Sequence, residues 1–356
     1  MCFERVIPGG AAATHVLEIC EGLRRRGFEV ALKAEHGPVR GGLYDQAWRY
    51  IRVSLEAVAG LRSADLVYVR SHFAAVLVAR VARLLGRPVI QEINGLYGEA
   101  FVTHPRFRRL QSFLTRVQRR QYRWASALVA VTPELAAWGA REAGHERAFH
   151  IGNGANTTLF SAEGPRAARR RPYVFFFGGL TRWHGIEVML DAVRSPAWPG
   201  GVELVLAGRI VDPSLKSLLD EAPSGVTWLG PAAQADLPPL IRGAVAGLVP
   251  SVDPKGIAAH GLTPLKLFEM LACGRPVVAS DFPRMADIVR SGPCGLVVPP
   301  GDPEALARAV AALAQHPEEA RAMGEAGARL VAAEHSWDAR AGETAQVIEE
   351  VLGRAR

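Results

Sequence analysis

Gly261-Leu262-Thr263-Pro264-Leu265-Lys266-Leu267-Phe268-Glu269-Met270-Leu271-Ala272-Cys273-Gly274-Arg275-Pro276-Val277-Val278-Ala279-Ser280 packs a helix and the following strand into one short stretch. Proline is favoured in the first turn of a helix and glycine just past its end, so the helix opens near Pro264 and stops at Gly274. Pro276–Ser280 reads as the strand that follows, and strands of this chain such as Leu128-Val129-Ala130-Val131 are continuously apolar, as expected of parallel strands covered by helices on both faces. Lys266 and Glu269 stand three residues apart, on neighbouring positions of the helix. Two readings of Glu269 stay open at this point: an ion-pair partner for Lys266, or an acceptor for a vicinal diol such as a ribose.

The same strand and helix alternation extends outward from this stretch. Tyr173–Phe177, Val202–Ala207, Val226–Leu229, Ala246–Pro250 and Gly295–Val298 read as further strands, and Phe28–Lys33, Asp65–Val69, Pro88–Ile93 and Ala127–Val131 form an earlier series. The two series are separated by Ser161–Pro172, SAEGPRAARRRP, which is basic, bracketed by proline and aperiodic, and therefore reads as an interdomain linker. A chain of 356 residues, about half of them apolar, suits two cores of ordinary size. The expectation is α/β: two Rossmann-like, doubly wound domains facing across a cleft, at residues 1–165 and 171–336, with a C-terminal helix at 337–356 packing back toward the first domain. Only Met1–Ile7 precedes Pro8-Gly9-Gly10: either Cys2–Ile7 is a poor first strand, or the first strand of the N-terminal domain is missing, the reading favoured because Glu4, Arg5 and Pro8 suit a loop.

Composition narrows the function classes. Cys2, Cys20, Cys273 and Cys294 lie far apart with no C-x-x-C pair, which suggests neither a disulfide framework nor a metal cluster; no metal ligands are assigned. The most apolar stretch, Ala74–Gly86, carries Arg80 and Arg83 and is too short to span a bilayer. Glu4 and Arg5 occupy the place of a signal peptide's apolar region, so a cytoplasmic location is expected. The net charge of +7 is unevenly distributed: residues 1–170 hold 25 Lys+Arg against 14 Asp+Glu, whereas residues 171–356 hold 17 against 21. A basic first half argues for an anionic partner. No helix-turn-helix, zinc finger or aromatic single-strand platform accompanies the charge, so nucleic acid is not the expected one.

Three segments carry the candidate chemistry. Pro8-Gly9-Gly10-Ala11-Ala12-Ala13-Thr14-His15 runs into a helix, where glycines let backbone N–H groups approach an anion; a turn with a helix cap reads equally well. Tyr173–Gly185, YVFFFGGLTRWHG, is a strand, a glycine turn and a helix start, with Arg182 and His184 as candidate partners for phosphate. Residues 106–124, RFRRLQSFLTRVQRRQYRW, read as an amphipathic helix with Phe107, Leu110, Phe113, Leu114, Val117 and Trp124 on one face. Arg108, Arg109, Arg116, Arg119, Arg120 and Arg123 populate the other. That basic face reads as a contact for an anionic membrane or a phosphate-bearing lipid acceptor, or as the solvated face of a packed helix.

The string PLKLFEMLACGRPVVAS resembles the signature of the group 1 (family GT4) glycosyltransferases of the GT-B fold, and the rest of the chain agrees in order. Pro8-Gly9-Gly10 through His15, followed by Arg26–Val30, looks like the family's first loop, helix and second strand. Ile151–Phe160 is similar to its domain exit, Gly295–Ala307 to a late segment of its nucleotide domain, and Ser336-Trp337 precedes the final helix. The resemblance implies a retaining transferase; the basic face of residues 106–124 adds the expectation of a peripheral contact at the inner face of a membrane. It would move a sugar from a nucleotide-sugar donor held by the second domain to a glycan, lipid-linked or small-molecule acceptor held by the first. It also implies that Glu269 binds the ribose hydroxyls, that Thr263, Pro264 and Leu265 face the donor diphosphate with Lys266 close by, and that Gly9, Gly10 and Asn94 meet the donor from the opposite domain. No cofactor or metal is implied, the nucleotide sugar being a substrate.

The chain departs from the family at telling positions. The first glutamate of its E-x7-E motif falls at Gly261, the basic pair of its glycine-loop pattern falls at Gly179 and His184, and the histidine that often follows the fourth strand is Asn94. The resemblance then shifts diphosphate neutralisation onto Arg182 and Lys266, with His184 donating a hydrogen bond or, if protonated, a charge. No catalytic residue is assignable, which suggests front-face substitution assisted by the leaving diphosphate. Glu92 and Asp281 read equally as sugar or acceptor contacts and as structural residues. A sugar-nucleotide epimerase or phosphorylase of the same fold, or a non-catalytic glycan-binding relative, are the alternatives.

Overall fold

The computed structural model describes residues 1–6, 10–35, 43–97, 105–253 and 260–355. The chain divides into two compact units, one made of residues 1–152 and 338–356 and the other of 153–337. Residues 153–165, expected with the first domain, therefore belong to the second unit. Among the described residues no helix is long and apolar enough to cross a membrane.

The first unit holds strands Cys2–Arg5 (β1), Ala34–Glu35 (β2), Val67–Arg70 (β3), Val89–Ile93 (β4), Ala127–Ala130 (β5) and Ala148–His150 (β6). Its helices are Ala11–Arg25 (α1), Leu43–Gly60 (α2), Val76–Leu84 (α3), Gln111–Trp124 (α4) and Pro133–Ala143 (α5). β3-β4-β5-β6 form a parallel sheet and β1-β2 a parallel pair. The Arg70 N–H donates to the Met1 carbonyl (3.0 Å), which ties that pair to β3. The expected loss of the first strand is corrected: Cys2 and Phe3 are buried, and their apolar side chains decide the element despite the flanking charges. The second strand is also corrected, from Phe28–Lys33 to Ala34–Glu35, because Phe28 and Val30 remain only half-buried while Ala34 and Glu35 are buried.

The second unit holds Tyr173–Phe177 (β7), Glu203–Ala207 (β8), Val226–Trp228 (β9), Ala246–Val249 (β10), Val277–Ser280 (β11) and Gly295–Val298 (β12). Its helices are Ile186–Arg194 (α6), Leu215–Asp220 (α7), Leu237–Gly243 (α8), Leu265–Ala272 (α9), Met285–Ser291 (α10), Pro303–Gln315 (α11) and Pro317–Glu334 (α12). A last helix, Trp337–Ala355 (α13), takes the chain back into the first unit. The parallel sheet runs β12-β11-β10-β7-β8-β9, so its order reverses between β7 and β10. Successive side chains of β7 explain the double winding: Tyr173, Phe175 and Phe177 enter one core and Val174 and Phe176 the other. A sheet of this order binds ligands outside the carboxyl ends of its strands at the reversal.

The segment Ser161–Pro172 is not a free interdomain linker. It is strapped onto the second unit by the Arg242 guanidinium, which donates to the Ser161 carbonyl (3.0 Å) and the Pro165 carbonyl (2.8 Å). The Ala167 N–H to Pro239 carbonyl bond (2.8 Å) and the Arg169–Glu203 ion pair (3.2 Å) add to this. The segment reads as a linker from sequence because the groups that fasten it lie tens of residues away.

Candidate functional site

In the second unit the β7/β10 reversal is lined by residues that the sequence singled out. β7 ends in Gly178, at φ +125°, where only glycine is comfortable, and a Cβ there would crowd the Lys266 ammonium. Gly208, after β8, has φ +145°, and a Cβ on it would fall inside the Gly178 carbonyl oxygen. These two glycines therefore let two turns lie against each other at the strand ends.

Lys266 occupies the first turn of α9 and is buried, its Nζ 4.0 Å from the centroid of the Phe176 ring. Among the described residues no oxygen accepts from that amine. Burial pulls its pKa down to about 7, against the opposing charge of Glu269. His184 lies beside it, its Nδ1 hydrogen-bonded to the Gly179 carbonyl. Burial first, and the Lys266 charge second, lower the His184 pKa to about 3, so the ring is neutral near pH 7. A carbonyl only accepts, so Nδ1 carries the proton and Nε2 is an acceptor. In the free protein burial therefore leaves Lys266 as the cation of this pair.

Pro264 is the N-cap of α9, so the amides of Leu265 and Lys266 have no carbonyl within the helix. Pro264 itself has no N–H to offer. The Thr263 carbonyl accepts from the Asn153 side-chain amide (2.8 Å), which holds the loop ahead of the helix. Gly261 has φ +82°, so at the position of the family's first glutamate this chain has a backbone that side chains rarely adopt. One turn into α9, Glu269 is buried with Oε1 3.5 Å from Gln234 Nε2, and its charge favours the Lys266 ammonium against the effect of burial. Arg182 is exposed and engaged by surface partners: Glu187 at 2.8 Å, Asp212 at 3.6 Å and the Ser214 hydroxyl at 3.2 Å. Asp281 likewise pairs with exposed Arg290 (2.6 Å).

Sequence reasoning missed Phe176, Gln234 and Arg284. Phe176 is indistinguishable from any core strand residue until Lys266 is placed on it. Arg284 is the only described non-glycine residue at positive φ (+69°), and it bridges Leu262 beside the α9 loop. Nothing in the local sequence signals that strain.

In the first unit a second cluster forms at the ends of β3 and β4. Glu92 is buried and accepts from the Tyr68 hydroxyl (2.8 Å), Arg70 Nη1 (2.9 Å) and Asn94 Nδ2 (2.6 Å), with His15 Nε2 at 3.3 Å. Burial alone would raise its pKa, but the charges and hydrogen bonds of His15, Arg70 and Asn94 hold it far below the usual carboxylate range. Because a carboxylate only accepts, Asn94 turns its NH2 inward and its carbonyl oxygen away. Gly10 is the exposed N-cap of α1, with its carbonyl accepting from Thr14 N–H (2.9 Å). Gly9 lies outside the described residues. Glu92, read equally as contact or scaffold from sequence, is thus the hub that fixes His15, Arg70 and Asn94.

The arginine segment folds as a 3-10 turn, Pro105–Leu110, followed by α4, and its expected faces are corrected. The buried side of α4 is Gln118, Gln121 and Tyr122, while Leu110 and Phe113 are 50 % and 61 % exposed. Gln121 earns that place by donating to backbone carbonyls of His72 and Phe73 at 3.3 and 3.4 Å. Arg108, Arg109, Arg116 and Arg120 are exposed, and Arg120 lies over the Trp124 ring (5.0 Å). Arg119 differs, being clamped to Glu142 at 2.6 Å.

The sequence profile described as "Glycosyl transferases group 1" matches residues 171–316, and that of "Glycosyltransferase Family 4" matches residues 8–159. A phosphatidyl-myo-inositol mannosyltransferase of Mycobacterium leprae is 29 % identical over 232 residues, covering 63 % of this chain and 59 % of the relative. An alpha-maltose-1-phosphate synthase of Mycolicibacterium smegmatis is 30 % identical over 232 residues, covering 58 % and 57 %. The chain thus spans under two thirds of the length of these curated relatives. Among solved structures, sucrose-phosphate synthase from Thermosynechococcus elongatus superposes with a TM-score of 0.73 at 21 % identity, over 97 % of this chain and 94 % of that one. Anabaena HepE in complex with UDP-glucose gives 0.73 at 18 % identity, over 98 % of both chains. The profiles matching one after the other along both units, and the shared architecture, show that the chain belongs to the group 1, GT4-like glycosyltransferases of the GT-B fold.

Proposed function

We propose that the protein is a retaining glycosyltransferase that takes a sugar from a nucleotide-sugar donor. The observation that carries this reading is the Lys266 ammonium, buried on the Phe176 ring with no acceptor among the described residues, next to the amides that open α9 and at the reversal of the second sheet. A cation buried without a partner is costly, and the diphosphate of a nucleotide sugar supplies the missing charge. Glu269 is proposed to take the ribose hydroxyls and the Thr263–Leu265 loop to border the diphosphate. Arg182, engaged by Glu187 and Asp212, would have to exchange those partners to contribute. From the first unit, Gly9, Gly10 and Asn94 are proposed to meet the sugar, Asn94 through its carbonyl oxygen.

In the proposed reaction the acceptor oxygen attacks the anomeric carbon on the face from which the diphosphate leaves. The acceptor proton passes to the departing phosphate oxygen, and Lys266 with the α9 amides stabilises the charge that develops there. Neither a metal nor another cofactor takes part in this scheme. The acceptor is proposed to be a glycan, lipid-linked or small molecule bearing phosphate, facing Arg108, Arg109, Arg116 and Arg120. Two relatives named for phosphatidyl-myo-inositol and for maltose-1-phosphate support that choice.

A panel of nucleotide sugars screened by thermal shift, followed by turnover of the best binder with and without EDTA, tests the proposal. Stabilisation by one nucleotide class, loss of that stabilisation in Lys266→Met, EDTA-insensitive turnover and a product of retained anomeric configuration are expected. An inverted product, or no stabilisation by any nucleotide sugar, would refute it.

A further inference from the structure

The outward face of α2 takes no part in either site, yet it is apolar. Tyr44, Trp48, Ile51 and Leu55 are 92 %, 65 %, 48 % and 53 % exposed. Their spacing of four, three and four residues confines them to an arc of about 60° at ~100° per residue. The opposite side of the same helix supplies Val53 and Ala57, and the residue after it Leu61, to the core around Val69 and Val78. α2 is therefore apolar on two faces, only one of which the fold covers. A helix of a water-soluble domain normally has a charged outer face.

The neighbouring helices continue the pattern and add charge. α2 packs beside α3, and α3 beside α4. α3 exposes Leu77 and, at its end, Leu84 and Leu85, with exposed Arg80 and Arg83 between them; α4 and the turn before it expose Phe113 and Leu110 among Arg108, Arg109, Arg116 and Arg120. The segments 73–87 and 105–124 contain ten arginines and no Asp or Glu. Of the large apolar side chains exposed among the described residues, most belong to these three helices or to the residues Leu85 and Leu110 that adjoin them.

We propose that α2, α3 and α4 form one docking face for an anionic lipid bilayer, with the Tyr44–Trp48–Ile51–Leu55 stripe entering the interface and the arginines meeting phosphate headgroups. This deepens the reading of the arginine helix as anion-facing, on which it rests. Charge decides between occupants. A second copy of the chain would set arginines against arginines, whereas a bilayer containing acidic lipid offers negative charge to the arginines and an apolar layer to the stripe. Tyrosine and tryptophan also favour the headgroup level, where an apolar ring and a polar edge are both accommodated.

Co-sedimentation of the full chain with vesicles of phosphatidylcholine alone, and of phosphatidylcholine with one third phosphatidylglycerol, tests this. The wild type is expected to bind the acidic vesicles at least about tenfold more tightly than the neutral ones. The double variant Trp48→Ser, Ile51→Ser is expected to lose at least about tenfold of that binding while keeping its thermal midpoint, since both side chains are exposed. Brominated lipid is expected to quench wild-type tryptophan fluorescence more than that of Trp48→Phe. Equal binding to both vesicles, undiminished binding by the double variant, or a dimer that the variant dissociates without affecting vesicle binding would each overturn the proposal. Donor titration of the same variant keeps the two readings apart, because an unchanged donor affinity with lost vesicle binding supports the face. A wild type that binds acidic vesicles but no nucleotide sugar sinks the donor reading alone.

Discussion

Lys266 gives donor binding a pH dependence whose sign and size follow from its surroundings. Burial lowers the pKa of the free amine from 10.5 to about 7, Glu269 opposing the shift. Both phosphates of a nucleotide sugar are esterified, so the ligand itself has none of the titration near neutrality that a free nucleoside diphosphate shows. Bringing that diphosphate to the amine favours the ammonium, so binding takes up whatever proton the free site has lost. Near pH 8 the free amine is about nine-tenths neutral and uptake approaches one proton; near pH 6 it is about a tenth. Affinity should therefore fall about tenfold per pH unit above ~7.5 and level off below ~6. Calorimetric titration of the best-binding nucleotide sugar in two buffers of different ionisation enthalpy measures the uptake directly. Lys266→Met should abolish it and weaken binding. The same substitution should stabilise the free protein, because between about pH 7 and pH 10.5 the unfolded chain binds more protons at this amine than the folded one. Wild-type stability rises with pH across that window, and at pH 7 the removable penalty is at most about 4 kcal/mol. Zero proton uptake near pH 8, or an affinity that is flat from about pH 6 to about pH 9, would refute the reasoning.

Two further outcomes follow from the geometry. Glu92→Gln leaves Arg70 and His15 facing a neutral amide, and urea unfolding should report a loss of roughly 3–5 kcal/mol. Because the folded Glu92 carboxyl binds fewer protons than the unfolded one below the ordinary carboxylate value of 4.5, its contribution is complete above that pH and lost as pH falls; the variant should show a flatter acid limb. Gly208→Ala drives a Cβ into the Gly178 carbonyl and should cost more than about 2 kcal/mol and erase donor binding, whereas Gly225→Ala, also at positive φ but facing open space, should cost about 1 kcal/mol and leave binding intact. Thermal midpoints with and without nucleotide sugar distinguish the pair.

What could be read from sequence was local. Tyr173–Phe177 and Gly295–Val298 were legible residue for residue because continuous apolar runs between glycine and proline leave no alternative element. Lys266 and Glu269 were legible as a pair on one helix, but not that Lys266 would turn under the Gly178 loop onto Phe176, a contact made across some ninety residues. The Ser161–Pro172 segment was misread for the same reason: Arg242, which fastens it, is 77 to 81 residues away. The arginine helix failed differently. Its apolar residues satisfied a helical period, but Gln121 found backbone carbonyls to bond and took the buried side, which periodicity of hydrophobicity cannot anticipate.

α13 bears on how the protein is made. Asp338 receives a two-pronged bond from Arg26, 2.9 Å on each oxygen, together with Arg25 at 3.3 Å, and Gly22 lies against Ala341 with no room for a side chain on either helix to grow. The partners are separated by 312 residues. During synthesis the unit that begins first is thus the one completed last: residues 153–337 can emerge and close their sheet while α1 still waits for its final partner. A ribosome stalled, or a protease cutting, near Ser336 would spare the second unit and strand the first with an exposed flank, so quality control for this chain should monitor its beginning by way of its end.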